Sequence, residues 1–292
     1  MANAQDIRRR IKSIRNTAQI TKAMQMVAAS KMRKAQNAAL AGRPYSSLMN
    51  RVLVSLQQRT DPTIHPLLHI REVKNELVLI ISTDKGLAGA LNTNLNREAT
   101  NFDASKTSYV TAGRKARQFI ARSRRNLLAE FELKDSPAFR ETKIIAQFCM
   151  ERFLLGDVDK VSVLYTHFIN TINQKATVRT LLPISNFDLG HAEQEGGTAA
   201  KGGDPMVGYT FEPTSEDVLG IILPYYIQYQ VYQMVLDARA SEHSSRMVAM
   251  KNATDNAQQF IKDLTLEYNK MRQASITTEL LEISTAQMAA GG

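Results

Sequence analysis

Hydrophobic and polar positions fall into three regimes along the chain. From residue 3 to about 58, apolar and small residues recur at alternating steps of four and three. Ile7, Ile11, Ile14, Ala18, Thr21, Gln25, Ala28, Met32, Ala35 and Ala39 form a heptad seam. No Gly or Pro interrupts it before "GRP" at 42–44. This predicts one long helix, opened by Asn3 or Asp6. Small seam residues allow close approach of a second helix. At the other end, steps of three and four from Met250 pass through Ala253, Ala257, Phe260, Leu264, Glu267, Met271, Ala274, Thr278, Leu281, Thr285 and Met288. The second helix should start near Pro213 or Ser215 and tolerate a kink at Pro224. Its stretch from Tyr225 to Met288 would span on the order of 95 Å, wider than a globular core. The simplest expectation is that the two seams zip together as an antiparallel coiled coil, with residues 1–58 and 213–290 as its two halves.

The centre, 76–212, reads as an α/β domain. "ELVLIIST" (76–83) is a nearly continuous apolar run, the mark of a buried parallel strand. "LNTNLNREATNF" reads as helix, "TSYVTA" as strand and "RKARQFIARS" as helix. "SPAFRETKIIAQFCMERFLLG" predicts a further helix, opened by Ser136-Pro137. "KVSVLYTHFIN" and "KATVRTLLPI" predict paired strands across "TINQ". Alternating strands and helices imply a Rossmann-like layered domain with parallel character. The Gly-rich, polar stretch 189–205 is expected to be a mobile loop.

Charge adds a second pattern. Residues 1–60 carry twelve Lys or Arg against one acid, Asp6, while the rest of the chain holds 25 bases and 27 acids. Nearly the whole net charge of +9 therefore sits at the N-terminal end, which points to a partner surface of opposite sign. Residues 7–43 contain no aromatic side chain, which disfavours stacking on nucleic acid. "MQMVAAS" is a thin apolar stripe without Trp or Phe anchors, which disfavours a membrane surface. An acidic protein surface remains. The single cysteine, Cys149, allows no internal disulfide and is expected to be a small buried apolar residue. No apolar run reaches the roughly 18 residues of a membrane span, and "MANAQDIRRR" has no secretory apolar segment.

Candidate chemistry is sparse. "STDKGLAGALN" (82–92) follows a strand and opens a helix, the context of a phosphate cradle, but it lacks the GxGxxG and GxxxxGK[ST] spacings. A tight structural turn is the simpler reading, with a nucleotide-binding enzyme as the rival. His65 and His69 stand four apart, but Pro62 and Pro66 break any helix that would align them as ligands, so a solvated loop is expected. His243, beside Glu242, is expected to make a hydrogen bond on a helix surface. No Ser–His–Asp or Cys–His grouping emerges. A basic coiled-coil arm of a nucleic-acid-binding or chaperone-type protein is the other rival.

Three stretches carry a resemblance. "IRRRIKSIRNTAQITKAMQMVAASKMRKAQ" resembles the N-terminal helix of the γ-subunit family of F-type ATP synthases, and residues 241–283 resemble its C-terminal signature. "STDKGLAGALN" resembles the family's central loop, with Lys85, Ala88 and Ala90 where Arg, another small residue and Gly are usual. The cysteine-bearing regulatory insertion of the chloroplast type is absent, so the bacterial type is implied. The resemblance implies a central rotor shaft that couples ion-driven rotation of the c ring to conformational change, and so to ATP synthesis or hydrolysis, in a ring of three α and three β subunits. It implies further partners in the ε subunit and the membrane c ring, with no cofactor, no nucleotide bound and no catalysis by the chain itself. A peripheral place on the cytoplasmic face of the cell membrane follows. By position, Lys22, Met24, Lys31 and Arg33 would meet the α/β ring, with Arg246 opposite Met24 on the second helix. Arg272, Gln273 and Thr277 would bond a β loop higher up, and Lys85, Gly86, Leu87 and Gly89 would form a structural loop.

Overall fold

A computed structural model describes residues 4–57, 65–184, 212 and 214–290; the stretch 189–205 lies outside them. Two contact units divide the chain: residues 30–245, and residues 1–29 together with 246–292. Helices α1 (Ala4–Gln57) and α5 (Ser215–Ala290) each contribute to both.

In the first unit, strands β1 (Glu76–Ile81), β2 (Thr107–Ala112), β3 (Asn126–Phe131), β4 (Lys160–Phe168) and β5 (Gln174–Leu182) form one sheet in the order β3-β2-β1-β4-β5. The first four are parallel, and β5 returns antiparallel beside β4. Three helices link them: α2 (Leu91–Thr100), α3 (Arg114–Arg122) and α4 (Phe139–Leu154). Successive residues of a strand face opposite sides, and β1 is apolar on both because both are covered. Leu77, Leu79 and Ile81 enter a core with α4, α5 and the Met49, Leu53 and Leu56 face of α1. Val78 and Ile80 enter a second core with Leu95 and Ala99 of α2 and Ala116 and Ile120 of α3.

β2 and α3 appear where the pattern placed them. β3 was not anticipated: its residues alternate between exposed and half-buried at the sheet edge, directly after the basic "RSRR", so no apolar run announces it. A short 3₁₀ turn at Pro66–Leu68 is also new, and its start is capped by His65, whose Nδ1 accepts from the Leu67 N–H at 3.2 Å. His65 therefore serves the backbone of its own segment. α4 starts at Phe139, a little after the predicted Ser136-Pro137 opening.

In the second unit the ends of α1 and α5 pair. Ile7, Ala18, Thr21 and Ala28 are buried and Ile11, Ile14 and Gln25 half-buried, so the predicted α1 seam is the contact face. Thr21 Oγ1 meets Thr254 Oγ1 at 2.7 Å. Seventeen residues separate Thr21 from the start of α1 at Ala4, and burial on α5 ends at Met271, seventeen residues beyond Thr254. Only antiparallel helices terminate together in this way. The α5 seam needs a correction of phase. Met250, Thr254, Ala257, Ile261, Leu264, Tyr268 and Met271 face inward, whereas Phe260 and Glu267 are exposed. Both phases share every second member, and the partner helix selects between them.

Candidate partner interface

On α1, Arg8, Lys12, Arg15 and Lys22 are all exposed. At about 100° per residue they fall within roughly 80° of one another and form one basic stripe. Beyond Asp6 no carboxylate on α1 neutralises it. Met24 is half-buried in the same turn as Thr21. Arg246 is also half-buried, eight residues before Thr254, so it stands about 7 Å along the axis from the layer of Met24 rather than directly opposite.

Arg272, Gln273 and Thr277 are exposed and lie past the point where α1 has ended. The Thr277 hydroxyl donates to the Gln273 carbonyl at 2.9 Å, a bond within the helix. From Arg272 to Met288 every residue of α5 is exposed, including Ile276, Leu280, Leu281, Ile283 and Met288. A single amphiphilic helix of this length is marginal in water. The last charge is Glu282.

In the first unit, Arg33 is exposed and Lys31 is half-buried. Lys31 Nζ donates to Asp135 Oδ2 at 2.5 Å, and this hydrogen bond, with the charge behind it, holds the Asp135 carboxyl below the ordinary carboxylate range. The pairing was invisible to sequence reasoning, because 104 residues separate the partners.

The 82–92 turn is shaped by its own bonds. Leu87 and Gly89 have positive φ of 61° and 57°. Thr83 Oγ1 donates to the Lys85 carbonyl at 2.8 Å and pairs with the Asn92 amide. Lys85, Gly86, Leu87 and Gly89 are exposed at its tip. Ser82 Oγ accepts the Ala116 N–H at 2.9 Å. At Gly113, φ is 118° and an added Cβ would lie 2.4 Å from the Ser82 carbonyl, so this start of α3 requires glycine.

A buried ionic group sits beside this turn. Arg239, on α5, donates to Glu242 at 2.6 Å, to Asp84 Oδ2 at 3.2 Å and to the Leu133 carbonyl at 2.8 Å. Asp84 Oδ1 meanwhile accepts the Arg114 N–H. Burial works against the Arg239 charge, but the two carboxylates outweigh it and raise the guanidinium pKa above its ordinary value. Glu242 and His243 are 4% and 2% exposed, so the expected surface hydrogen bond is instead part of a buried polar segment. Further along the same stretch, Ser241 donates to the Thr166 carbonyl, Ser244 to that of Thr171 and Ser245 to that of Ala88, at 2.7–2.9 Å. Asp237 accepts the Phe168 N–H and meets His167 Nδ1 at 2.5 Å.

Cys149 is fully buried, and burial pushes its thiol pKa to about 12. Among the described residues no group of three or more His, Cys, Asp or Glu could hold a metal ion, and no helix is long and apolar enough to cross a membrane.

A family model described as ATP synthase matches residues 3–289. The chain is 50% identical over 296 residues to the ATP synthase gamma chain of Methylacidiphilum infernorum, covering all of both chains. It is 52% identical to that of Opitutus terrae, covering 99% of each. Among solved structures it is similar to a chain of the Tetrahymena thermophila mitochondrial ATP synthase central stalk and c ring. That likeness has a TM-score of 0.60 at 26% identity, over 80% of this chain and 99% of the other. A chain of the Euglena gracilis mitochondrial ATP synthase rotor shares the fold, with a TM-score of 0.67 at 19% identity, over 94% and 98%.

Proposed function

Since this chain belongs to the ATP synthase gamma family, we propose that its work is mechanical and that no bond is made or broken on it. It is the central-stalk subunit of a rotary ATP synthase, joining the turning of an ion-driven c ring to conformational change and ATP chemistry in a ring of α and β subunits. The paired ends of α1 and α5 act as the shaft. The central domain, 76–212, is the foot that meets the ε subunit and the c ring. The chain is peripheral, and the cytoplasmic face of the cell membrane is where it works.

The observation that carries this reading is the lone helix beyond Met271. Seventeen exposed residues with five large apolar side chains need a surrounding surface to be stable, and they lack charge after Glu282. A closely fitted collar suits such a tip, because a charge turning within it would lose its hydration. The basic stripe on α1, with Lys22 and Arg33, faces acidic elements of the ring. Exposed ion pairs contribute only ~0–1 kcal/mol each, so they can be exchanged as the shaft turns without fixing one angle. Met24, at least about 120° round the helix from this stripe and at the edge of the seam, is an uncharged contact. Arg246, Arg272, Gln273 and Thr277 bond ring loops at successive heights. Lys31 enters this set while already paired with Asp135.

The test is direct. The chain is assembled with the α and β subunits of its own source, and a bead is attached to the foot. ATP should drive one-way rotation. An assembled complex that hydrolyses ATP with a stationary bead would overturn the reading.

A further inference from the structure

Open parallel sheets carry a crevice beyond the carboxyl ends of the strands where the order changes direction, and ligands are ordinarily held there. Here that point lies between β1 and β4. Helix α5 lies across these strand ends, with a cavity lined by Ala90, Leu91, Thr166 and Ser245 left beside it. Arg239 reaches Asp84, just past β1, and the Leu133 carbonyl, just past β3. Ser241 and Asp237 bond the end of β4 at Thr166 and Phe168. Ser245 bonds Ala88, in the very turn that resembles a phosphate cradle. A helix of the same chain is thus bonded across the strand ends where ligands are ordinarily held.

We infer that the stretch 237–245 is a keyed joint that forces α5 to turn with the α/β domain, and that Arg239, Ser241, Ser244 and Ser245 are positioning residues for torque transfer. This rests on the rotary reading above. Apolar contacts such as those of Leu223, Ile227, Val231 and Val235 hold α5 on the sheet but are non-directional, whereas hydrogen bonds weaken steeply as their angles open. At about 100° per residue, Asp237, Ser241, Ser244 and Ser245 lie within roughly 100° of one another, while Arg239 points to the opposite side of the helix. Turning α5 about its own axis must therefore strain bonds on both sides at once. The grip also stands at the right place along the chain. Ser245 is the last residue of its unit, and Arg246 begins the other. The last turns of α5 before it leaves the domain are the ones that are keyed.

The experiment uses the assembled α–β complex of this chain, stalled without ATP, with a bead on a cysteine introduced as Arg122→Cys at the exposed end of α3. The buried thiol of Cys149 gives no competing label. Thermal angular fluctuation of the bead reports torsional stiffness. At least eight hydrogen bonds join this stretch of α5 to the domain. Removing four of them in Ser241→Ala/Ser244→Ala/Ser245→Ala should raise the angular variance by roughly 1.5-fold or more, as when parallel springs are cut. Arg239→Lys keeps the charge beside Glu242 but cannot span Asp84 and Leu133 together, and should raise it as well. If neither variant changes the variance while the wild-type complex rotates under ATP, the keyed joint is wrong and the rotary reading stands. If the wild-type complex does not rotate, both fall.

Discussion

Lys31 Nζ and Asp135 Oδ2 stand 2.5 Å apart, joining the basic helix α1 to the segment between β3 and α4. A cation that charge patterning assigns to a partner protein thus has a carboxylate from its own chain. Both side chains are more than two-fifths exposed, so solvent screens the pair. A Lys31→Ala and Asp135→Asn double-mutant cycle, read by denaturant titration at pH 7, should give a coupling below about 1 kcal/mol. The Asp135 carboxyl is depressed in the folded chain, so its contribution is present above the ordinary carboxylate value near 4 and fades as pH falls below it. A coupling that strengthens toward acid pH would contradict the assignment.

Thr21 and Thr254 are both buried and share one hydrogen bond within the seam. Thr254→Val should destabilise the helix pair by about 1 kcal/mol, because the Thr21 hydroxyl loses a buried partner. The double change Thr21→Val/Thr254→Val removes both polar groups and should recover much of that loss. Thermal unfolding followed by circular dichroism decides; additive losses would show that the two hydroxyls do not meet.

The phase of the α5 seam makes its own prediction. Ile261 is half-buried against α1 while Phe260 is 59% exposed. Ile261→Asp should cost about 1–3 kcal/mol by placing a charge in the contact face, and Phe260→Asp within about 0.5 kcal/mol. The reverse ranking would restore the other phase.

Cys149 should resist thiol reagents in the native chain at pH 8 and react fully once the chain is unfolded. Its pKa is raised to about 12 by burial, so the folded state keeps a proton that the unfolded state loses first. The stability this contributes is complete below pH of about 9 and is lost as pH rises through 12. A Cys149→Ala chain should lack that alkaline component, and native labelling at pH 8 would refute the burial.

Replacing Arg8, Lys12, Arg15 and Lys22 with Gln tests the basic stripe in the assembled complex. Wild-type torque or assembly should weaken as salt rises, and the neutral variant should start weaker and respond less. Identical salt responses would remove charge matching from the account.

Legibility followed physical range. β1 was readable because a strand covered on both faces must be apolar throughout, and the α1 seam because its small residues repeat over many turns. β3 was not, since an edge strand with half its residues in water carries little signal. The choice between Phe260 and Ile261 depends on where α1 lies, which no local pattern encodes. The ionic group of Arg239, Glu242 and Asp84 was hidden for the same reason, with 155 residues between Arg239 and Asp84. Of the residues assigned to partners by resemblance, exposure is now known for each, and Lys31 has gained a partner in its own chain.

Thr21 and Thr254 are 233 residues apart. On the ribosome, the first strand of the coiled coil is therefore synthesised long before its mate. For most of translation α1 has its seam open to water, while β1 to β4, close in sequence, can already pair. The rod is completed only when nearly all of the polypeptide has emerged, so its closure is the slow, long-loop step of folding. During that interval a basic segment whose one acid is Asp6 waits unpartnered, which makes it the natural point for a chaperone to act.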